Sequence, residues 1–119
     1  MKIVVITGSS RGIGYGLAKQ FLALGCSVVI NGRDSNKLEQ ARQILANEYD
    51  TDRILAFSCD VSNFVELQAL WDKAITNFGK VDIWINNAGT IHKRYPVWQQ
   101  TPEQIKSVIE TNLLGTEYD

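Results

Sequence analysis

The 119 residues have the length of one domain, and 45% hydrophobic with 21% charged residues is an ordinary globular composition. A net charge of −1 at pH 7 provides no basic surface for nucleic acid or for an anionic membrane. The longest apolar runs, such as Ile3–Ile6, are too short to span a bilayer, and we expect no secretory signal at the amino terminus.

The first predicted unit is a strand, a turn, a helix and a second strand. Lys2–Thr7 encloses a continuous apolar run, which is typical of a strand buried on both faces. Gly8–Gly14 is a glycine-rich turn, and a helix follows it up to Gly25. The apolar positions at helical spacing are Ile13, Leu17, Phe21 and Leu24. Ser27–Asn31 is the second predicted strand.

The pattern then repeats twice. Asp34 or Ser35 can cap a second helix, whose apolar positions are Leu38, Ala41, Ile44 and Leu45. Ile54–Cys59 is the third predicted strand. Ser62 can cap a third helix, which we expect to end at Gly79. Its apolar positions are Val65, Leu67, Leu70, Trp71, Ile75 and Phe78.

Val81–Ile85 is the fourth predicted strand, Asn86–Gln100 a looser stretch, and a last helix starts at Thr101. Alternating strands and helices predict a single α/β domain over residues 1–119, a Rossmann-like doubly wound parallel sheet in the order 3-2-1-4 with helices on both faces. Apart from Asp82, the fourth strand is as apolar as a central strand, yet no later predicted strand can pair with its far edge. The sheet is therefore expected to be incomplete. We expect self-association through that edge strand or the last helix.

Cys26 and Cys59 adjoin predicted strands and lack metal-ligand spacing. We therefore expect buried thiols in a reducing compartment, no metal site and a cytoplasmic protein.

The turn after the first strand has the pattern Gly-x-x-x-Gly-x-Gly. Glycine permits a tight turn and lets backbone N–H groups approach a pyrophosphate at the start of a helix. The residues that we expect to contact such a ligand are Gly8, Ser10, Arg11, Gly12, Ile13 and Gly14.

Four segments, in order, resemble the short-chain dehydrogenase/reductase family. Thr7–Gly14 resembles its cofactor motif, and Asp60–Val61 resembles the pair that holds the adenine ring. Asn86–Gly89 is similar to the family's most recognisable tetrapeptide, and Thr111–Gly115 to the helix segment that supplies a catalytic asparagine. The resemblance covers the whole chain.

The resemblance implies roles for individual residues. The carboxylate of Asp60 would accept a hydrogen bond from the adenine amino group, and Val61 would offer a backbone N–H. Asn112 would belong to a proton relay. The segment expected beside the cofactor comprises Asn87, Ala88 and Gly89.

Two cations favour NADP(H) over NAD(H). A residue that binds the ribose 2′-hydroxyl would be an acid at the end of the second strand, but that strand leads through Asn31 to Arg33. Arg11 adds a second guanidinium, a group suited to phosphate. We therefore expect Asn31 and Arg33 to contact the cofactor. The alternative is that Asp34 neutralises Arg33 while capping the helix.

Three further features have simpler explanations. Tyr15 and Lys19 have the Tyr-x-x-x-Lys spacing of the family's catalytic pair but follow the glycine turn directly, so we interpret them as partly exposed helix residues. His92 is interpreted as a surface histidine. Lys93–Tyr95 is expected to be a solvated loop segment.

In the family, a serine and a Tyr-x-x-x-Lys pair follow on later elements, and this chain runs only to Asp119. The resemblance thus implies an NAD(P)(H)-dependent oxidoreductase of which this chain supplies the dinucleotide-binding half, expected to be inactive alone. A small carbonyl or alcohol substrate would need the rest of the fold. The alternatives are a non-catalytic dinucleotide-binding or protein-interaction module, and a remnant that does not fold stably.

Overall fold

The computed structural model of the chain describes residues 1–87, which form a four-stranded parallel sheet flanked by helices. The strands are β1 (Ile3–Ile6), β2 (Ser27–Gly32), β3 (Ile54–Ser58) and β4 (Ile83–Ile85). The helices are α1 (Gly12–Ala23), α2 (Ser35–Ala46) and α3 (Phe64–Phe78), with a short 3-10 turn at Thr51–Arg53. The spatial order β3-β2-β1-β4 confirms the predicted Rossmann-like order.

The register aligns the carboxyl ends of the strands. Ile6 in β1 lies opposite Ile30 in β2 and Ile85 in β4, and Ile30 lies opposite Ala56 in β3. Every residue of β1 and β2 is buried, as the continuous apolar runs predict for central strands of a parallel sheet. The loops that leave these strands therefore meet at one edge of the sheet.

Helices cover both faces of the sheet, as predicted. Against one face, α1 and α2 pack a core that includes Val4, Ile6, Ala18, Leu22, Val28, Ile30, Leu38 and Leu45. Against the other, α3 packs a core that includes Val5, Val29, Leu67, Leu70, Trp71, Ala74 and Trp84. The rings of Trp71 and Trp84 lie 5.9 Å apart in a tilted arrangement, which fills the space between α3 and β4.

The buried stripes of the helices differ in part from the predicted ones. In α1, Ile13 is 52% exposed and Leu24, just after the helix, is 77% exposed. The residues buried instead are Gly14, Ala18 and Leu22. The small residues at two of these positions let α1 approach the sheet closely. The buried face of the helix is therefore shifted by one residue from the predicted one. Ile44 and Val65, also predicted on buried faces, are 54% and 75% exposed.

The caps confirm one prediction and correct another. Asp34 caps α2, where its carboxylate accepts hydrogen bonds from two backbone N–H groups of the first turn. The predicted cap of α3, Ser62, is wrong, because Asn63 holds that position and its side chain accepts the N–H of Glu66 at 3.1 Å. The Ser62 hydroxyl donates to Asp60 instead, at 2.6 Å.

Arg53, in the 3-10 turn that the sequence analysis did not predict, stabilises the carboxyl end of α1. Its guanidinium donates to the carbonyl oxygens of Leu22 at 2.6 Å and Cys26 at 2.7 Å, and it lies over the ring of Tyr49. A cation at this position satisfies carbonyl groups at the end of the helix and complements its dipole.

Other expectations divide between confirmed and untested. Cys26 and Cys59 are free and buried, as predicted. Gly79 ends α3 with a positive φ of 85°, also as predicted. Over residues 1–87, no helix combines the length and apolar character needed to cross a membrane. The predicted last helix from Thr101 lies outside the described residues.

Candidate functional site

A cleft of about 580 Å³ lies at the carboxyl edge of the sheet, where β1, β2 and β4 end. Its walls come from the glycine turn, the start of α1, the end of β2 and the first turn of α2. The lining residues are Gly8, Ser10, Arg11, Gly12, Ile13, Gly32, Arg33, Asp34, Lys37 and Asn87. Most of the predicted cofactor-binding residues within the described range therefore come together in one cleft.

The three glycines of the turn are required for different structural reasons. Gly8 and Gly12 have positive φ angles of 62° and 65°, in the region that side chains disfavour. At Gly14 the backbone is helical, but a Cβ there would lie 2.5 Å from Gly8 O and 2.5 Å from Asn87 Nδ2. The first two glycines shape the turn, and the third allows α1 to pack against it.

The amino terminus of α1 opens on the cleft without a side-chain cap. Arg11 occupies the capping position in an extended conformation, and its side chain makes no capping hydrogen bond. Gly12 and Ile13, the first residues of the helix, line the cleft. Helix N–H groups without side-chain partners and the positive end of the helix dipole favour an anion here.

Hydrogen bonds from neighbouring strand ends support the turn. The backbone N–H of Asn87 donates to the hydroxyl of Thr7 at 2.9 Å, and its side-chain amide donates to Gly8 O at 3.0 Å. Asn87 Oδ1 is buried and has no hydrogen-bond partner among residues 1–87. Asn87 itself is one of the residues that line the cleft.

The side chain of Asn31 is turned into the protein. This residue is 2% exposed, and its amide contacts the glycine turn and the end of β3. It is absent from the residues that line the cleft.

Three cationic side chains line the cleft. Arg11 comes from the turn, Arg33 from the end of β2, and Lys37 from the first turn of α2. Sequence reasoning missed Lys37, although its place four residues after Arg33 at the start of a predicted helix was a usable signal. Asp34 also lines the cleft, but the ion pairs found within residues 1–87 do not join it to Arg33.

Asp60 and Val61 lie beyond the cleft lining, after β3. Hydrogen bonds from the hydroxyl and backbone N–H of Ser62 hold the pKa of Asp60 below its usual value, and the charge of Arg33 acts in the same direction. Asp60 is therefore ionised at neutral pH. Val61 is 4% exposed and packs in the core against α3.

Cys59 lies next to this turn, and its surroundings disfavour the reactive thiolate form. Burial and the nearby charge of Glu66 raise its pKa to about 11, although a hydrogen bond from Asn31 acts in the opposite direction. The thiol is therefore neutral at physiological pH.

In the part of the chain that the structure describes, no three His, Cys, Asp or Glu side chains are grouped to hold a metal ion.

Tyr15 and Lys19 are partly exposed residues of α1, as expected from their position. Tyr15 is half-buried. Lys19 is exposed, and its Nζ lies 3.7 Å from Oε1 of Glu48. The remaining candidates, Ala88, Gly89 and Asn112, lie outside the described residues, as do His92 and Lys93–Tyr95.

A parallel sheet of this order, with a glycine turn at the start of α1, defines a Rossmann-type dinucleotide-binding fold. The model of the short chain dehydrogenase family matches residues 2–117. The chain belongs to this family of nicotinamide-dinucleotide-dependent oxidoreductases.

Three similar proteins illustrate the range of the family. A chloroplastic chlorophyll(ide) b reductase from Oryza sativa subsp. japonica is 42% identical over 113 residues, which are 94% of this chain and 33% of that protein. The C-domain of a bacterial malonyl-CoA reductase with NADP has a TM-score of 0.72 at 33% identity, over 75% of this chain and 15% of that one. A short chain dehydrogenase/reductase from Burkholderia phymatum in complex with NAD has a TM-score of 0.69 at 36% identity, over 74% and 31%.

The chain spans between about a quarter and a third of the length of the first curated relatives that it matches. The solved relatives bind NADP in one case and NAD in another, so the comparisons support a nicotinamide dinucleotide without choosing between the two.

Proposed function

We propose that this chain supplies the NADP(H)-binding half of an oxidoreductase that interconverts a carbonyl and an alcohol. The observation that carries the choice of NADP(H) is the set of three cations, Arg11, Arg33 and Lys37, around one cleft beside the glycine turn. Guanidinium and ammonium groups bind a phosphate through charge-assisted hydrogen bonds, and NAD(H) has no 2′-phosphate to use them.

The end of β2 supports the same choice. An acid that binds the ribose 2′-hydroxyl belongs at the end of this strand, and β2 ends at Gly32. A Cβ at Gly32 would lie 3.0 Å from Ser10 Oγ and 3.1 Å from Ser10 Cβ. The crowding at this position disfavours an acidic side chain, whereas Arg33 and Lys37 reach the cleft from just beyond it.

The chemistry of the other lining groups fits the rest of a dinucleotide. We assign the pyrophosphate to the N–H groups of Ser10, Gly12 and Ile13, at the end of the turn and the start of α1. Gly8, whose own N–H is held by Asn31, lines the cleft beside the pyrophosphate, and Gly14 allows the close approach of α1. A phosphate oxygen can accept hydrogen bonds from these donors, and Asn87 Oδ1, which has no partner among residues 1–87, can accept a hydrogen bond from a ribose hydroxyl.

The adenine and nicotinamide ends are assigned to flanking residues. Asp60, which is ionised, would accept a hydrogen bond from the adenine amino group, and the backbone of Val61 would donate one. We keep Ala88 and Gly89 beside the cofactor and Asn112 in a proton relay, as the family resemblance implies. When bound, the nicotinamide supplies the hydride.

Calorimetric titration of the chain with NADPH, NADH and 2′-AMP tests this function. We expect NADPH to bind at least about tenfold more tightly than NADH, because one charge-assisted hydrogen bond contributes about 1.5 kcal/mol or more. We expect 2′-AMP to bind and to compete with NADPH. Equal affinity for NADPH and NADH would contradict the choice of NADP(H), and binding of neither would contradict the function.

A non-catalytic interaction module remains the second candidate. Within residues 1–87, β4 pairs only with β1, and its other edge carries the backbone groups of an apolar strand. Self-association through this edge or the last helix would produce a dimer or larger species in size-exclusion chromatography with light scattering. A monomer at micromolar concentration would contradict it.

We also propose a cytoplasmic location, supported by the two free buried thiols. Microscopy of a tagged chain in its own cells tests it, and an organellar signal would contradict it.

A further inference from the structure

The side chain of Asn31 joins the glycine turn to the end of β3. Its Oδ1 accepts the backbone N–H of Gly8 at 3.0 Å. Its Nδ2 lies 3.1 Å from the carbonyl oxygen of Phe57 and 3.3 Å from that of Cys59. Both halves of a 2% exposed amide are therefore occupied by backbone groups of two other segments.

The backbone of Asn31 reinforces this connection. Its N–H donates to Ser9 Oγ at 2.9 Å, and its carbonyl accepts the N–H of Ser9 at 2.7 Å. The same Ser9 hydroxyl donates to Ile6 O at 2.7 Å. Asn31 thus contacts two consecutive residues of the turn, Gly8 through its side chain and Ser9 through its backbone.

Gly8 is the point at which the chain leaves β1 for the cleft. It has a positive φ of 62°, its N–H is held by Asn31, and its carbonyl accepts from Asn87. A glycine can adopt many backbone conformations, so two side-chain amides at its N–H and its C=O restrict a peptide that would otherwise be mobile. The direction of the peptides that follow depends on this restriction.

We propose that Asn31 is a positioning residue, whose amide ties the glycine turn to the end of β3 and orients the turn N–H groups for a pyrophosphate. This replaces the direct contact to the cofactor that the sequence suggested. The consequence for ligand binding rests on the proposed function, whereas the restriction of Gly8 does not.

The substitution Asn31→Ala, compared with Cys59→Ala, separates positioning from packing. Both remove a buried side chain at the same place, since Cys59 Sγ lies 3.3 Å from Asn31 Nδ2, but only the first frees Gly8. We expect Asn31→Ala to weaken NADPH about tenfold, the equivalent of one hydrogen bond lost in the orientation of the turn. We expect Cys59→Ala to leave NADPH affinity within about twofold of the wild type.

The ligand 2′-AMP gives a readout that a merely structural role would not produce. It has no pyrophosphate and relies on the cations, two of which, Arg33 and Lys37, come from the residue after β2 and from the first turn of α2 and not from the glycine turn. We expect Asn31→Ala to change its affinity by less than about threefold. Equal weakening of NADPH and 2′-AMP, or equal effects of the two substitutions, would overturn the proposal.

Hydrogen exchange followed by NMR tests the restriction of Gly8 without any ligand. In Asn31→Ala we expect the Gly8 amide to exchange at least about tenfold faster, with amides in the middle of β1 unchanged. Unchanged exchange at Gly8 would also overturn the proposal. If the alanine variant does not fold, Asn31→Thr serves instead, because a β-branched residue suits the strand and its hydroxyl is too short to reach both segments. A wild-type chain that binds neither ligand contradicts the proposed function, and Gly8 exchange then decides the role of Asn31.

Discussion

The amino termini of α1 and α3 lie after the central strand β1 and the edge strand β3 of one sheet, yet they are completed in different ways. At α3, Asn63 accepts an N–H of the first turn and Glu66 places a carboxylate there. At α1 no side chain caps the helix and no acid lies in its first turn. The protein thus supplies its own acceptors at one helix and leaves the donors of the other to the cleft.

The charges around the two termini follow the same division. Asp60 lies just before α3, and its backbone N–H donates to Glu66 at 2.7 Å. Around the start of α1 the cleft is lined by cations, of which Lys37 is one. A helix N-terminus attracts negative charge in both cases. At α3 that charge belongs to the chain, and at α1 we expect it to come from a dinucleotide.

The largest effect is expected from Gly14→Ala, which breaks the α1 side of this comparison. The new Cβ would lie 2.5 Å from Gly8 O, so the turn or the helix must move. We expect the free energy of unfolding to fall by about 3 kcal/mol and NADPH affinity to fall about a hundredfold. Urea denaturation and calorimetry measure the two effects.

The matched control is Gly16→Ala, two residues along the same helix, where a Cβ meets nothing within 4 Å. There we expect a gain of about 0.5–1 kcal/mol in stability from helix propensity, with NADPH affinity unchanged. Similar losses at both glycines would show that any added methyl group in α1 is harmful, and would contradict the close-packing role of Gly14.

The double substitution Arg33→Ser with Lys37→Ser removes two cations of the cleft without touching the turn. Loss of charge-assisted contacts to a 2′-phosphate should weaken NADPH about 30-fold and leave NADH affinity within about twofold. The control is Lys19→Ser, which removes an exposed cation of α1 outside the cleft lining. Weakening of NADPH and NADH by the same factor would assign these residues to a shared part of the two cofactors.

Asp82 provides a test away from both helix termini. Burial raises the pKa of this carboxyl, but the hydrogen bond from the N–H of Ile3 and the charge of Lys80 outweigh it and leave the pKa below its usual value. A depressed pKa in the folded state means that the unfolded chain binds protons first as pH falls. The stabilisation by Asp82 is therefore complete above about pH 4 and is lost as pH falls through the lower, folded pKa.

We expect Asp82→Asn to lower stability by about 1–2 kcal/mol at pH 7, with a difference from the wild type that narrows below about pH 4. Urea denaturation of both proteins at pH values from 7 down to below about 4 measures this difference in the free energy of unfolding. A difference that stays constant over the whole range would contradict the ionised role of Asp82. NADPH affinity at pH 7 should not change, because Asp82 lies near the opposite end of β4 from the cleft.

The smallest effect is expected at the capped terminus. Asn63→Ala should cost about 1 kcal/mol in unfolding free energy, the usual contribution of a helix cap, with no change in NADPH affinity. Ser62→Ala, the cap that the sequence suggested, should change stability by less than about 0.5 kcal/mol. A larger loss at Ser62 than at Asn63 would restore the original assignment.

Local patterns account for what could be predicted. Continuous apolar runs identified β1 and β2, and alternation with helical segments implied the order β3-β2-β1-β4. The glycine spacing placed Gly8, Gly12 and Gly14 at a turn that does line or support the cleft. These features depend on neighbours in the chain or on rules that hold for parallel sheets in general.

Tertiary contacts decided the rest. Sequence spacing favoured Ile13 and Leu24 as core positions, but the close approach of α1 buried Gly14 and Ala18 instead, because packing distance selects among neighbouring stripes of a helix. The amide of Asn31 was free, on sequence grounds, to meet a ligand. Only the assembled sheet brings Gly8 and the end of β3 to within hydrogen-bond distance of it.

The sequence by itself thus determined the order of the elements, the family and the location of the glycine turn, since each is specified by residues close together along the chain. The tertiary structure decided which face of each helix is buried, that Lys37 joins Arg11 and Arg33 at one cleft, and that Asn31 holds the turn. The physical reason is that these last features depend on distances between separate segments of the fold, such as Gly8 and Asn31, which short-range periodicity does not encode.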